Sequence, residues 1–139
     1  MLYFFARQRG SDVAVYLSAD EVKTINQQFL GAPALRDEPG LLAALARPLT
    51  AAYYQQADLA SQAAVLIEGI CQSHPFVDTN KRTATAAGLI FLRLNGYRVQ
   101  YKVDPLQDEL GAQVLELVTH RITVDSFAQW LRSRLVALP

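Results

Sequence analysis

Apolar and polar positions along the 139 residues alternate mostly with a helical period, and each run is bounded by a recognisable start or stop. Ser18-Ala19-Asp20-Glu21 carries the residues of a capping box, with Leu17 and Val22 at the positions of a hydrophobic staple, and predicts a helix to about Phe29, ahead of Gly31-Ala32-Pro33. A short helix is expected from Pro39, a good first-turn residue, to Arg47, where Pro48 should end it. Leu59, Ala63, Leu66, Ile67 and Ile70 share one face of a third helix that should stop near Ser73, before His74-Pro75. A fourth fits Thr79 to Leu94, closed by Asn95-Gly96. Its middle, Ala84 to Leu92, is small or apolar nearly all round, the mark of a helix at the centre of a bundle. Asp104 and Pro105 should open a fifth helix with Leu106, Leu110, Val114 and Leu117 on one face. Thr123 or Asp125 should cap a sixth, with Phe127, Trp130 and Leu131 inward.

Two stretches have period two instead. Val13, Val15 and Leu17 alternate with Ala14 and Tyr16, and Tyr97 to Val103 alternates similarly. With Tyr3 and Phe5 they predict a small sheet beside the helices. The expectation is a mainly α fold, a bundle of about six helices with a small β element, forming one domain over residues 1–139.

Composition narrows the functional classes. Hydrophobic residues make up 51% and charged residues 19%, a globular balance. Thirteen basic and thirteen acidic residues cancel, with no basic stripe, so no direct nucleic-acid partner is expected. Cys71 stands alone, which excludes an intrachain disulfide and favours a reducing compartment. No apolar stretch approaches the roughly 20 residues that span a bilayer. These features predict a soluble cytoplasmic domain without a membrane partner.

Polar chemistry concentrates in His74-Pro75-Phe76-Val77-Asp78-Thr79-Asn80-Lys81-Arg82, at the entry to the fourth helix. A helix start presents unpaired amides and the positive end of the dipole, an anion site. Lys81 and Arg82 sit where that dipole disfavours cations, and bound phosphates would reverse the penalty. Asp78 is an oxygen ligand of the kind magnesium takes when it shares its shell with substrate phosphates. His74 has a pKa class suited to removing a proton near neutral pH. Phe76 should be a buried anchor. Taken singly, His74 is an ordinary histidine, Asp78 a helix cap, Asn80 a turn residue, Phe76 core, and the cations solvated charges. Jointly, six fixed positions at roughly one in twenty each recur by chance about once in 10⁷ to 10⁸ windows.

These nine residues resemble the signature of the Fic/Doc family, which in most members reads H-P-F-x-[D/E]-G-N-G-R. The likeness extends through Thr83-Ala84 and Leu89-Ile90-Phe91-Leu92 to Asn95-Gly96. Tyr16 to Val22, Leu35-Arg36-Asp37-Glu38 and Leu45-Ala46-Arg47-Pro48 are similar to the Doc, or death-on-curing, branch. Residues 1–15 look like an extension. Thr79 and Lys81 replace the two glycines of the majority signature, and Thr85 stands where nucleotidyl-transferring members carry a second arginine.

The resemblance to the Doc branch, which has N-K-R, implies a bacterial toxin that moves the γ-phosphate of ATP to a Ser/Thr hydroxyl of a protein, with elongation factor Tu the implied target. It implies His74 as general base, Asp78 as magnesium ligand, and Thr79, Asn80, Lys81 and Arg82 at the phosphates. It also implies that Arg47, Leu49, Thr50 and Tyr53 lie on a target-docking flap, although Arg47 to Tyr54 reads equally as an interhelix loop with core tyrosines. Ala64-Val65-Leu66-Ile67-Glu68-Gly69 lacks the opening hydroxyl of the family's self-inhibitory motif, so inhibition is expected from a small Phd-like antitoxin. The alternatives are a nucleotidyl (AMP) transferase and a non-catalytic binding module of the same fold.

Overall fold

A computed structural model describes residues 4–8, 12–31, 34–104 and 108–139, with side chains from residue 14 onward. Six helices and four short strands follow one another as β1 (Phe4–Gln8), β2 (Asp12–Tyr16), α1 (Ala19–Leu30), α2 (Glu38–Gln55), α3 (Leu59–Ser73), α4 (Asn80–Leu94), β3 (Tyr97–Val99), α5 (Glu109–Val118), α6 (Val124–Arg134) and β4 (Leu135–Ala137). The fold is mainly α, as the periodicity predicts.

Helices α3 and α4 form the centre. Ala63, Ala64, Leu66, Ile67 and Ile70 of α3 are buried, as are Ala84, Ala87, Phe91 and Leu92 of α4. The small residues let the two backbones approach. A Cβ at Gly88 would stand 2.5 Å from Ile67 Cδ1, so any larger residue at that crossing would have to displace the Ile67 side chain. Phe127 and Leu131 of α6 and Leu110, Val114 and Leu117 of α5 close the core from the far side.

Helix α1 begins as its capping box dictates. Ser18 Oγ accepts from the Glu21 amide at 3.2 Å, and Glu21 Oε1 accepts from the Ser18 amide at 3.0 Å. It ends at Gly31, whose φ of 77° is the left-handed stop. Helix α2 departs from expectation, because it runs through Pro48 to Gln55. Proline within a helix removes one hydrogen bond and costs about 3 kcal/mol. Here Pro48, Ala51 and Ala52 are all buried, and this packing against the bundle carries the helix past the break.

Helix α5 also starts later than Asp104-Pro105 suggested. Its cap is Asp108, whose carboxylate accepts from the Gly111 amide, while Pro105 and Leu106 lie outside the described residues. Of the two caps open for α6, Thr123 is the one used, accepting from the Ser126 amide at 3.0 Å.

The β residues form two separate antiparallel pairs instead of one sheet. In the first, Phe4 faces Tyr16 and Gln8 faces Asp12, while Tyr3 lies outside the described residues. In the second, Tyr97–Val99 pairs with Leu135–Ala137, a strand the alternation did not reveal, and Tyr101 and Val103 lie beyond it. Asn95, at the end of α4, completes β2 like a third strand. Its Oδ1 accepts from the Val15 amide at 2.8 Å and its Nδ2 donates to the Val15 carbonyl at 2.9 Å.

Candidate active site

The loop between α3 and α4 is built backwards from its anchor. Phe76 is buried, 1% exposed, as the sequence predicts. With that ring fixed, the flanking residues turn outward: His74, Val77 and Asp78 are exposed. Residues 34–37 brace the loop from outside. Leu35 pairs with Phe76 as an antiparallel bridge. The Arg36 and Asp37 amides donate to the Pro75 carbonyl at 2.7 and 3.0 Å, and Val77 donates to Ala34 at 2.8 Å. Arg36 also donates through Nη2 to the His74 carbonyl at 2.7 Å.

His74 is thereby held at the end of α3 in a left-handed conformation, φ 45°, its amide bonded to the Ile70 carbonyl at 3.2 Å. Thr79 is the second left-handed residue of the loop, φ 58°, and it is the N-terminal cap of α4. The other five helices take a capping bond from Ser18, Asp37, Asp58, Asp108 or Thr123. The Thr79 side chain makes none. The first-turn amides of α4 therefore face outward without a side-chain acceptor, the arrangement that binds an anion.

The predicted residues converge. His74, Asp78, Thr79, Asn80, Lys81 and Arg82 line one open cavity of about 590 Å³. Lys81 and Arg82 also line a second, of about 600 Å³, between α4 and α5, with Phe29, Leu89, Tyr101 and Val114. The two cations thus line both hollows. The Arg82 guanidinium lies 4.8 Å from the centre of the Phe29 ring, which positions it. Thr85 turns its hydroxyl back to the Lys81 carbonyl at 2.8 Å and adds no charge. Cys71 also lines the first cavity, and burial pushes its thiol up to about 12, although the Lys81 charge works the other way.

Asp78 and Asn80 have distinct duties. Asp78 Oδ1 accepts from the Thr79 amide at 2.7 Å, on the exposed side of the turn. Asn80 spends its amide on the loop, accepting from the Phe76 amide at 3.0 Å and donating to the Phe76 carbonyl at 2.9 Å.

The stretch expected as a flap or an interhelix loop is helical. Arg47, Leu49, Thr50 and Tyr53 lie within α2, so this stretch is neither an extended strand nor a loop. Arg47 instead bonds Glu68 at 2.7 Å, which also commits the only carboxylate of the Ala64–Gly69 stretch. The strand-like segment beside the loop is 34–37. Sequence reasoning also missed Asn26 and Arg36, which reach this loop from elsewhere in the chain. A polar residue on the inner side of α1, beside Val22, was the only signal for Asn26.

The sequence matches the family model described as Fic/DOC family over residues 16–92, which leaves both 1–15 and 93–139 outside it. It is 36% identical over 118 residues to Toxin Doc of Mycolicibacterium smegmatis, covering 81% of this chain and 88% of that one. It is likewise 36% identical over 107 residues to Protein kinase doc of Escherichia phage P1, covering 76% and 80%. The signature loop, its geometry and these relatives agree: the chain belongs to the Fic/Doc family, on the side of the Doc toxins.

Proposed function

We propose that this protein is a Doc-type toxin kinase that transfers the γ-phosphate of ATP to a Ser/Thr hydroxyl of elongation factor Tu. The observation that carries the reading is the uncapped start of α4, with Lys81 and Arg82 beside it and His74 on the same cavity. First-turn amides and two cations suit an oligophosphate, and phosphoryl transfer asks a protein mainly for positioning and charge neutralisation. His74 takes the proton from the target hydroxyl as its oxygen attacks the γ-phosphorus. The bond from that phosphorus to the bridging oxygen breaks, and ADP leaves.

Lys81 and Arg82 neutralise the charge that develops on the phosphate oxygens. Among the described residues no group of three or more His, Cys, Asp or Glu could hold a metal by itself. Magnesium typically binds through one or two carboxylates plus substrate phosphates, and the exposed Asp78 carboxylate would be its protein ligand here. Bound there, the ion would draw negative charge from the phosphates. The name of the phage relative, a protein kinase, supports phosphoryl over nucleotidyl transfer.

The Ala64–Gly69 stretch lacks the opening hydroxyl of a self-inhibitory motif and its Glu68 is tied to Arg47, which supports control in trans by a small Phd-like antitoxin; the site of action we assign is the cytoplasm. Among the described residues no helix is long and apolar enough to cross a membrane. The test is intact-mass measurement of elongation factor Tu after incubation with the protein and Mg-ATP. Gain of one phosphoryl group is expected, and an unchanged mass beside a demonstrably folded enzyme rejects this target.

A further inference from the structure

A single buried amide on α1 fastens the turn that presents Asp78. Asn26 is 1% exposed. Its Nδ2 lies 3.2 Å from the Asp78 carbonyl, 3.1 Å from Thr79 Oγ1 and 3.0 Å from Thr83 Oγ1. Its Oδ1 is buried without a hydrogen-bond partner among the described residues. A buried amide with one end unsatisfied is unfavourable, and an apolar residue would avoid the penalty. The donor end must therefore have a duty that an apolar residue could not perform.

That duty lies at Thr79. A β-branched residue at φ 58° is strained, in a conformation that glycine takes freely. Two bonds to the Thr79 hydroxyl oppose the strain: it donates to the Asp78 carbonyl at 2.7 Å and accepts from Asn26. The Thr79 amide also holds Asp78 Oδ1, and the carbonyl of that same peptide accepts from Asn26 and from the Thr79 hydroxyl, so the peptide joining residues 78 and 79 sets where the carboxylate stands.

We infer that Asn26 is a positioning residue for the active site, holding Thr79 in its left-handed conformation so that Asp78 is presented to the reacting nucleotide. The catalytic half of this inference rests on the proposed role of Asp78; the conformational half does not.

The test compares the parent with Asn26→Ala, Thr79→Gly and the double variant by three measurements. These are amide hydrogen exchange at residue 79, the kcat and KM of γ-phosphate transfer, and melting temperature. Asn26→Ala is expected to speed exchange at residue 79 and lower kcat, each by about tenfold, the scale of the left-handed penalty, with KM for the protein target within about twofold. In the Thr79→Gly background the same substitution should change exchange and kcat by less than about twofold, because glycine needs no support. The melting temperature should fall in both backgrounds, since Thr83 loses its partner either way.

A purely structural Asn26 would give equal losses in both backgrounds, or a loss of transfer that only follows the folded fraction. Either result overturns the inference. If no protein of the set moves phosphate, the proposed activity fails, and exchange at residue 79 still decides whether Asn26 holds the turn.

Discussion

The side-chain amide of Asn80 forms a closed ring with the backbone of Phe76, accepting from its N–H at 3.0 Å and donating to its C=O at 2.9 Å. The first residue of α4 thus fixes the residue whose ring anchors the loop, and His74 and Asp78 stand on either side of that anchor. Removing the amide leaves two backbone groups of a partly buried loop unpaired. Asn80→Ala should therefore lower stability by about 1–3 kcal/mol and lower transfer with it. Chemical denaturation and transfer assays on the folded fraction check this. Asn80→Asp, which can accept but not donate, should fall between the two proteins.

His74 is exposed and serves only the loop's surface, so its loss should be chemical. His74→Asn preserves tolerance of the left-handed conformation. It should lower transfer by about 10² to 10⁴, the usual worth of a general base, with little change in melting temperature. Steady-state rates and thermal unfolding of the same preparation separate the two effects.

Lys81 should matter through charge and volume at the phosphates. Lys81→Gly should cut γ-phosphate transfer by roughly 10- to 100-fold, the equivalent of one charge-assisted contact of about 1.5–3 kcal/mol. Adding Thr85→Arg supplies a cation where the present side chain turns its hydroxyl to the backbone, and should not restore γ-transfer. Rates for both variants at saturating ATP check the ordering.

Stability should depend on acid at a point remote from the site. Arg132 donates to both oxygens of Asp58, the cap of α3, at 2.6 and 3.0 Å. That bond, reinforced by the Ser61 amide, holds the Asp58 carboxyl down to about 2 from 3.8. A carboxylate with a depressed pKa in the folded state stabilises above its unfolded value and loses that contribution as pH falls through the folded one. Asn caps a helix about as well as Asp, so Asp58→Asn removes mainly the charge. The parent should exceed the variant by on the order of 1 kcal/mol near neutrality, since both partners are partly exposed. The gap should close between about pH 4 and pH 2, as measured by urea unfolding across that range.

Much of this architecture was legible in residue order, and the exceptions share a cause. Helices α1, α3, α4 and α6 carry their own boundaries, in Ser18, His74-Pro75, Asn95-Gly96 and Thr123, so local signals sufficed. The extension of α2 through Pro48 was not legible, because burial of Ala51 and Ala52 overrides a local break only once the bundle exists. Strand β4 is three residues long and gains its identity from pairing with Tyr97–Val99.

The site divides the same way. His74 to Arg82 form one contiguous segment, so their shared chemistry could be seen. Asn26 and Arg36 reach the loop from 52 and 38 positions away, and a polar residue beside Val22 was the one local signal for the first of them. The flap placement of Arg47, Leu49, Thr50 and Tyr53 came from resemblance alone, and the segment is helical.

The central claim is that the start of α4 presents the γ-phosphate, not the α-phosphate, to a protein hydroxyl. The most direct measurement incubates the protein with elongation factor Tu and ATP labelled separately at the α or the γ position. Label from the γ position alone should appear on the protein target, and His74→Asn should remove nearly all of it. Transfer of α-label without γ-label would contradict the account and assign the site to nucleotidyl transfer.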